Sequence, residues 1–216
     1  MCMMGGLKFF LGLQIKQEKD GIYIHQTKYV KQLLRKYNLR DCKIMSTPMH
    51  PTFILSLDES NKKIYQTTYR GMIGFLLYLT ASRPNIMFSV YLCACFQFDP
   101  RESHLITIKH NFRYLKGTTN LDVCYKKSYQ YKLKGYNDDN FVGDRIERKI
   151  TSERCHFIGV NLVSWSSKRQ DYIQKGILDL KFINTKNQLA DIFTKPFLQD
   201  KLIHIRNLFD MTFIKK

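Results

Sequence analysis

The first thirty residues contain two apolar segments with the character of strands. Leu7–Ile15 is a run of apolar and aromatic residues, and Ile22–Gln26 alternates between apolar and polar positions. The pair Asp20-Gly21 between them is typical of a tight turn. The pattern therefore predicts a β-hairpin at the start of the chain.

The next segment has the spacing of an amphipathic helix. Apolar residues recur at i, i+3, i+4 and i+7, namely Val30, Leu33, Leu34 and Tyr37. Thr27 precedes them and can cap the helix. The other sides carry Lys28, Lys31, Arg35 and Lys36. Such a basic face is typical of a solvated helix, and a helix near a nucleic-acid groove would look the same.

Three further helices are predicted after a polar, proline-containing linker at Arg40–Gln66. They cover Thr67–Ala81, Pro84–Phe98 and Glu102–Lys116. The first two are strongly apolar, but Arg83 lies between them, and an arginine at the centre of a membrane helix costs about 3 kcal/mol. We therefore expect two buried helices joined at a corner, and no membrane span.

The second half of the chain has strands first and helices last. Strands are predicted at Leu121–Tyr125, Tyr131–Tyr136, Cys155–Val160, Leu162–Ser167 and Leu178–Ile183, with a tight connection at Val160-Asn161. A short helix is predicted at Gln188–Thr194 and a terminal one at Asp200–Phe209. This order is typical of an α+β fold.

The charge indicates a polyanionic partner. With 35 Lys and Arg against 18 Asp and Glu, the net charge is +17, which favours sequence-independent binding to nucleic acid. On the fourth predicted helix, Lys109, Arg113 and Lys116 form the candidate contact with phosphates, next to His110. The alternative is a solvated helix face. The six cysteines form no C-x-x-C pair, and Met1–Gly6 lacks the basic start and apolar core of a secretory signal. We therefore expect reduced thiols in the cytoplasm or nucleus, and no cofactor.

Several longer segments carry a family resemblance. FFLGLQI, YRGMIGFLLYLTASRPNIMF, RESHLITIKHNFRYLKGTTNLDVCY, LVSWSSKRQ and QLADIFTKP resemble the Pol polyprotein of copia-type LTR retrotransposons of plants. The resemblance implies a terminal hairpin of the reverse transcriptase palm at residues 1–26, a helical thumb-like region at 27–116, and a ribonuclease H-like sheet with helices at 117–216. It also implies a template–primer duplex near the basic helix and, as partners, RNA–DNA hybrid or duplex and intact retrotransposon proteins.

The resemblance also implies that both ancestral active sites are incomplete. The Tyr-x-Asp-Asp turn of the polymerase belongs to an upstream segment. Ribonuclease H needs four carboxylates around two Mg²⁺ ions; Asp138 matches the first ligand and Asp191 the last, while Asn140 replaces a later Asp of the motif. The segment that carries the second ligand, a Glu, and the strand that carries the third have no counterpart, with an apparent internal deletion near Arg169–Asp171.

We therefore expect a degenerate fragment without polymerase or nuclease activity that binds nucleic acid without sequence preference. One alternative is a residual Mg²⁺-dependent ribonuclease H, which needs a replacement ligand; Glu147 and Glu153, in a basic loop, are the nearest candidates. A second alternative is a non-catalytic interaction protein that binds an intact reverse transcriptase. A third is a product that does not fold well.

Overall fold

The computed structural model describes residues 6–50, 52, 55, 62–127, 131–140, 151–169, 188–193 and 196–213. The described strands are β1 (Phe9–Phe10), β2 (Leu13–Gln17), β3 (Gly21–His25), β4 (Leu121–Lys126), β5 (Leu133–Asn140), β6 (Thr151–Ile158), β7 (Asn161–Arg169) and β8 (Met211–Phe213). The described helices are α1 (Thr27–Lys36), α2 (Gln66–Leu79), α3 (Met87–Ala94), α4 (Glu102–Gly117) and α5 (Gln199–Leu208), with 3₁₀ helices at Pro84–Ile86 and Leu189–Phe193. The fold is α+β, as predicted.

A five-stranded antiparallel sheet joins the two ends of the chain. Its strand order is β1-β2-β3-β4-β8. The predicted hairpin is confirmed by the pairing of β2 with β3, and β3 also pairs with β4, with Ile24 opposite Val123. The short strand β8 was not expected from the sequence, and it pairs with β4 on the other side. The sheet therefore includes strands from two of the three segments that the resemblance implies.

The prediction of one continuous strand over Leu7–Ile15 is wrong. The chain reverses at Leu11 and Gly12, which have φ values of 47° and 79°, and β1 folds back on β2. Two left-handed residues in a row are typical of the tight turns that match strand twist. Tyr78 on α2 holds the turn, because its hydroxyl donates to the Leu11 carbonyl at 2.6 Å. A Cβ on Gly12 would overlap that hydroxyl, so glycine is required here.

Helix α1 buries the predicted face, with Val30, Leu33 and Leu34 in the core. The prediction that Thr27 caps this helix is wrong, because the N-cap position is Gln26 and no side chain caps it. Thr27 is the first helical residue, and its hydroxyl instead donates to the Thr119 carbonyl at 3.0 Å. The contact ties the start of α1 to the turn that precedes β4.

The apolar helices α2 and α3 form the predicted buried corner. Pro84 begins the 3₁₀ helix between them, and Arg83 just before it is fully buried. Helix α4 begins at Glu102 as predicted. Residues 40–50 contain neither helix nor strand, in agreement with the predicted linker. Among the helices of the described ranges, none has the length and apolar character that crossing a membrane requires.

Strands β5, β6 and β7 form a second antiparallel sheet. The predicted connection at Val160-Asn161 lies one residue earlier, at Gly159 and Val160, because Gly159 takes the left-handed conformation with φ of 63°. The short predicted helix is present as the 3₁₀ helix Leu189–Phe193. The strand predicted at Leu178–Ile183 lies outside the described residues.

One apolar core connects the helices with both sheets. It includes residues of α1 to α5 together with Leu121 and Val123 of β4 and Phe157 of β6. The expectation that the helices before Gly117 pack as a separate cluster is therefore wrong. The sequence periodicity identifies which faces are apolar, but it does not specify which apolar faces meet.

Candidate nucleic-acid interface and carboxylate site

Asp191 lies in the 3₁₀ helix Leu189–Phe193 and is buried, with 2% of its surface exposed. Its Oδ2 atom lies 3.5 Å from the Lys201 ammonium on α5. The same ammonium lies 4.3 Å from the centre of the Phe197 ring. The carboxylate therefore faces a cation of the protein itself, and the pair links α5 to the 3₁₀ helix.

The backbone brings the position of Asp138 close to this 3₁₀ helix, which contacts β5 and β6. The Gln188 side chain donates from Nε2 to the Asn137 carbonyl at 3.1 Å, one residue before Asp138. In the register of the second sheet, Asp138 on β5 lies opposite Glu153 on β6. The side chains of these two residues lie outside the described atoms, as does all of Glu147.

The register corrects one expectation. Glu153 was placed in a basic loop by the sequence, but it belongs to β6, because strand β6 begins at Thr151. Asp138 and Asp191 lie on elements that contact each other, and their role as metal ligands stays a prediction. Among the side chains that the structure describes, no group of three or more His, Cys, Asp or Glu residues gathers as a metal site would require.

The predicted basic set on α4 is largely covered by residues 42–47. The Lys116 ammonium donates to the Cys42 carbonyl at 2.7 Å. The Nε2 atom of His110 lies 3.0 Å from the Thr47 carbonyl, and burial lowers the pKa of this histidine. Arg113 is half-buried, and its carbonyl accepts from the Met45 amide at 3.4 Å. Of the predicted phosphate contacts, only Lys109 is exposed.

Helix α1 presents a more accessible basic surface. Four of its cationic side chains are exposed, and the helix contains no acidic residue; these four, called here the α1 basic face, are Lys28, Lys31, Arg35 and Lys36. None of them forms an ion pair with another described residue, whereas Lys16 pairs with Glu18 and Lys126 pairs with Asp210. The α1 basic face therefore keeps its charge available to a partner.

Exposed aromatic side chains lie beside this face. Phe9 and Phe10 of β1 are 54% and 55% exposed. The Lys28 ammonium lies 5.1 Å from the centre of the Phe9 ring, so the hairpin and α1 form one surface. Neither the α1 basic face nor these two rings belongs to the phosphate contacts predicted from the sequence. The sequence signal for the α1 basic face is the absence of Asp and Glu between Asp20 and Asp41.

The chain is similar to Pol polyproteins of plant transposons. It is 32% identical over 186 residues to the Retrovirus-related Pol polyprotein from transposon RE1 of Arabidopsis thaliana, and the match covers 86% of the chain and 13% of that protein. It is 28% identical over 211 residues to the Pol polyprotein from transposon TNT 1-94 of Nicotiana tabacum, covering 93% of the chain and 16% of the relative.

A shorter relative matches over most of its own length. It is an uncharacterized mitochondrial protein of Arabidopsis thaliana, 31% identical over 179 residues, covering 83% of the chain and 74% of the relative. No family model and no solved structure matches the chain.

Proposed function

The chain belongs to the Pol polyproteins of copia-type LTR retrotransposons, and we propose that it is a catalytically inactive fragment that binds nucleic acid through α1. Its retrotransposon origin and the plant source of its relatives agree with the expectation from sequence. The chain spans about one seventh of the two Pol polyproteins, so their activities do not transfer to it. The observation that carries the proposal is the α1 basic face, four exposed cations without an acidic neighbour on their helix.

The spacing of this face fits a phosphate backbone. Lys28, Lys31 and Arg35 lie at i, i+3 and i+7, a stripe about 10 Å long at 1.5 Å per residue. Each strand of duplex DNA carries one phosphate per ~3.4 Å of helix axis, so the stripe spans about three phosphates of one strand, one for each cation. Cations that contact phosphates carry no base information, and sequence preference should therefore be weak.

The exposed rings of Phe9 and Phe10 extend the surface toward single strands. Bases stack on such rings with about 1–3 kcal/mol each, whatever their sequence. The α4 set of Lys109, Arg113 and Lys116 stays a prediction. Its contacts with residues 42–47 make α1 the more accessible surface.

Nuclease inactivity is proposed from the surroundings of Asp191. A magnesium ligand must present its carboxylate to the metal ion. The carboxylate of Asp191 is buried and faces the Lys201 ammonium instead. The described residues around it therefore do not fit Mg²⁺, which prefers several oxygen ligands and bound waters. The missing segment with the second ligand supports the same conclusion.

The binding test compares three variants of equal charge. Replacing Lys28, Lys31 and Arg35 by Gln lowers the net charge from +17 to +14. The matched control replaces the exposed residues Lys62, Lys132 and Lys134, and a third variant replaces Lys109, Arg113 and Lys116. We expect the α1 variant alone to lose affinity for a labelled duplex, by fluorescence anisotropy, and to flatten the log–log salt dependence by about 2–3. Equal losses of affinity in the α1 and control variants would show that binding depends only on the net charge. A loss only in the α4 variant would show that Lys109, Arg113 and Lys116 are the phosphate contacts.

A residual ribonuclease H is the second candidate function. It is favoured by one observation, the register that places Asp138 opposite Glu153 next to the element of Asp191. Cleavage of an RNA–DNA hybrid that needs Mg²⁺ and is abolished by Asp138→Asn and Glu153→Gln would establish it. Our proposal expects no cleavage above background.

A further inference from the structure

A group of buried charged side chains lies where the α2–α3 corner meets β4 and α5. Arg83 and Asp122 are both fully buried, and Arg206 is 8% exposed. Arg83 donates from Nη2 to the Thr119 carbonyl at 3.1 Å, and Arg206 donates from Nη1 to the Tyr114 hydroxyl at 3.4 Å. Neither the nucleic-acid surface nor the carboxylate site uses this group.

The carboxylate of Asp122 lacks a hydrogen-bond donor in the described part of the chain. Among the described residues, neither of its oxygens is hydrogen-bonded, and the same holds for Nε and Nη1 of Arg83. An ionised carboxylate that is buried without donors is strongly disfavoured, whereas the neutral acid is much less so. The two side chains therefore interact electrostatically without a direct hydrogen bond between them.

We propose that Asp122 is a proton-controlled latch that holds β4 against the α2–α3 corner while its carboxyl is neutral and loosens this junction when the carboxyl ionises. Burial raises the pKa of Asp122 to about 7, and the nearby cations Arg83 and Lys16 only partly oppose this. The group therefore titrates in the physiological range, unlike an ordinary aspartate.

The charged groups around the latch come from every neighbouring element. Arg83 and Lys16 of β2 interact electrostatically with Asp122, while His25 of β3, Tyr114 of α4 and Arg206 of α5 interact with Arg83. Strand β8 places the uncharged Thr212 opposite Asp122. Lys16 also pairs with the exposed carboxylate of Glu18, and Asp122 is the only buried carboxylate in the described part of this cluster.

The latch adjoins the start of α1. The Thr119 carbonyl accepts hydrogen bonds from both Arg83 and Thr27, the first residue of that helix. The Thr119 carbonyl therefore connects Arg83 with the first residue of α1, and we expect a change at the latch to affect the position of this helix. This consequence rests on the proposed nucleic-acid binding, but the test of the latch itself does not.

The sign follows from the direction of the shift. The folded pKa is raised above the unfolded value of 3.8, so the stability due to Asp122 is fully present below about pH 4 and is lost as the pH rises through about 7. From pH 5.5 to pH 8 this alone increases the unfolding equilibrium constant about 30-fold. His25 and His110 act in the opposite direction, because burial lowers their pKa values.

The experiment compares urea unfolding of the full chain at pH 5.5 and pH 8 in wild type, Asp122→Asn and the control Asp20→Asn. Asp20 is exposed and its pKa is lowered by the Tyr23 hydroxyl, so it does not titrate in this window. We expect Asp122→Asn to be relatively more stable at pH 8, with the wild-type-to-variant ratio of unfolding constants changing about 30-fold between the two pH values, and Asp20→Asn to follow wild type. A change below threefold, or of opposite sign, would overturn the latch.

A second measurement does not depend on a folded variant. The carboxyl carbon of Asp122 can be titrated by NMR in the wild-type protein. A midpoint near 7 supports the proposal, and a midpoint below 5 overturns it.

Discussion

Phe209 is the position at which one substitution tests the continuity of the core. The residue follows the last residue of α5 and is fully buried. Its ring centre lies 5.9 Å from those of Phe157 on β6 and Phe193 on the 3₁₀ helix. Three elements of the second half therefore share its ring. Phe209→Ala removes these contacts and leaves a cavity, which costs about 3–5 kcal/mol in a packed core.

The expected cost of Phe209→Ala is large compared with the total free energy of unfolding of a domain, which is about 5–15 kcal/mol. Phe209→Leu keeps part of the volume and should cost about 1–2 kcal/mol, so it remains measurable if the alanine variant does not fold. Phe98→Ala is the matched control, because the same side chain is 86% exposed there. It should change the unfolding free energy by less than about 0.5 kcal/mol.

The assay follows urea unfolding with two probes. The chain has one Trp, Trp165 on β7, whose Nε1 donates to the Thr80 carbonyl at 2.9 Å; its fluorescence reports the junction of the second sheet with α2. Far-UV circular dichroism reports mainly the helices. One core predicts coincident transitions for both probes, shifted together by Phe209→Leu.

Separate transitions for the two probes would contradict a single continuous core. If only the fluorescence transition moves while the helices unfold as in wild type, the second sheet is an independent unit. A cost below about 0.5 kcal/mol for Phe209→Ala would show that the ring is not packed as described.

Three further predictions concern the buried Asp191, two glycines and two cysteines. Asp191→Asn should lower the unfolding free energy by about 1–3 kcal/mol and leave any background cleavage of the hybrid unchanged. Loss of cleavage in this variant would instead indicate a catalytic role. Gly74→Ala, on α2 with open space around its Cβ position, should stabilise the protein by about 0.5–1 kcal/mol, whereas Gly12→Ala should destabilise it; equal effects in urea unfolding would contradict this. A thiol reagent at pH 8 should label the exposed Cys95 in the native protein but not Cys155, because burial raises the pKa of Cys155 to about 12; native labelling of Cys155 by mass spectrometry would contradict this.

The periodic segments of the fold could be predicted from the sequence. The apolar spacing of Val30, Leu33 and Leu34 identified the buried face of α1, and Arg83-Pro84 identified the corner between the apolar helices. The turn at Leu11-Gly12 was missed, because its conformation depends on the Tyr78 hydroxyl more than sixty residues away. The order of apolar and polar residues around the turn contains no information about such a distant contact.

Long-range pairing explains the other differences. Strand β4 pairs with β3 and with the three-residue β8, and pairing between distant strands leaves no periodic signal in the sequence. For the same reason the charge pattern could not distinguish α4 from α1. Both helices are basic, but on α4 the Cys42 and Thr47 carbonyls contact Lys116 and His110. The α1 basic face has ring contacts, Lys28 with Phe9 and Lys36 with Phe75, and no described acidic residue pairs with it.

We propose that the chain binds nucleic acid without cutting it, and one measurement addresses both parts. The protein is incubated with an end-labelled RNA–DNA hybrid in Mg²⁺, and bound, free and cleaved label are resolved on parallel native and denaturing gels. We expect a retarded and uncut hybrid, with retardation that weakens steeply with salt and in the variant that replaces Lys28, Lys31 and Arg35. Cleavage that Asp138→Asn abolishes, or no retardation even at low salt, would contradict the proposal.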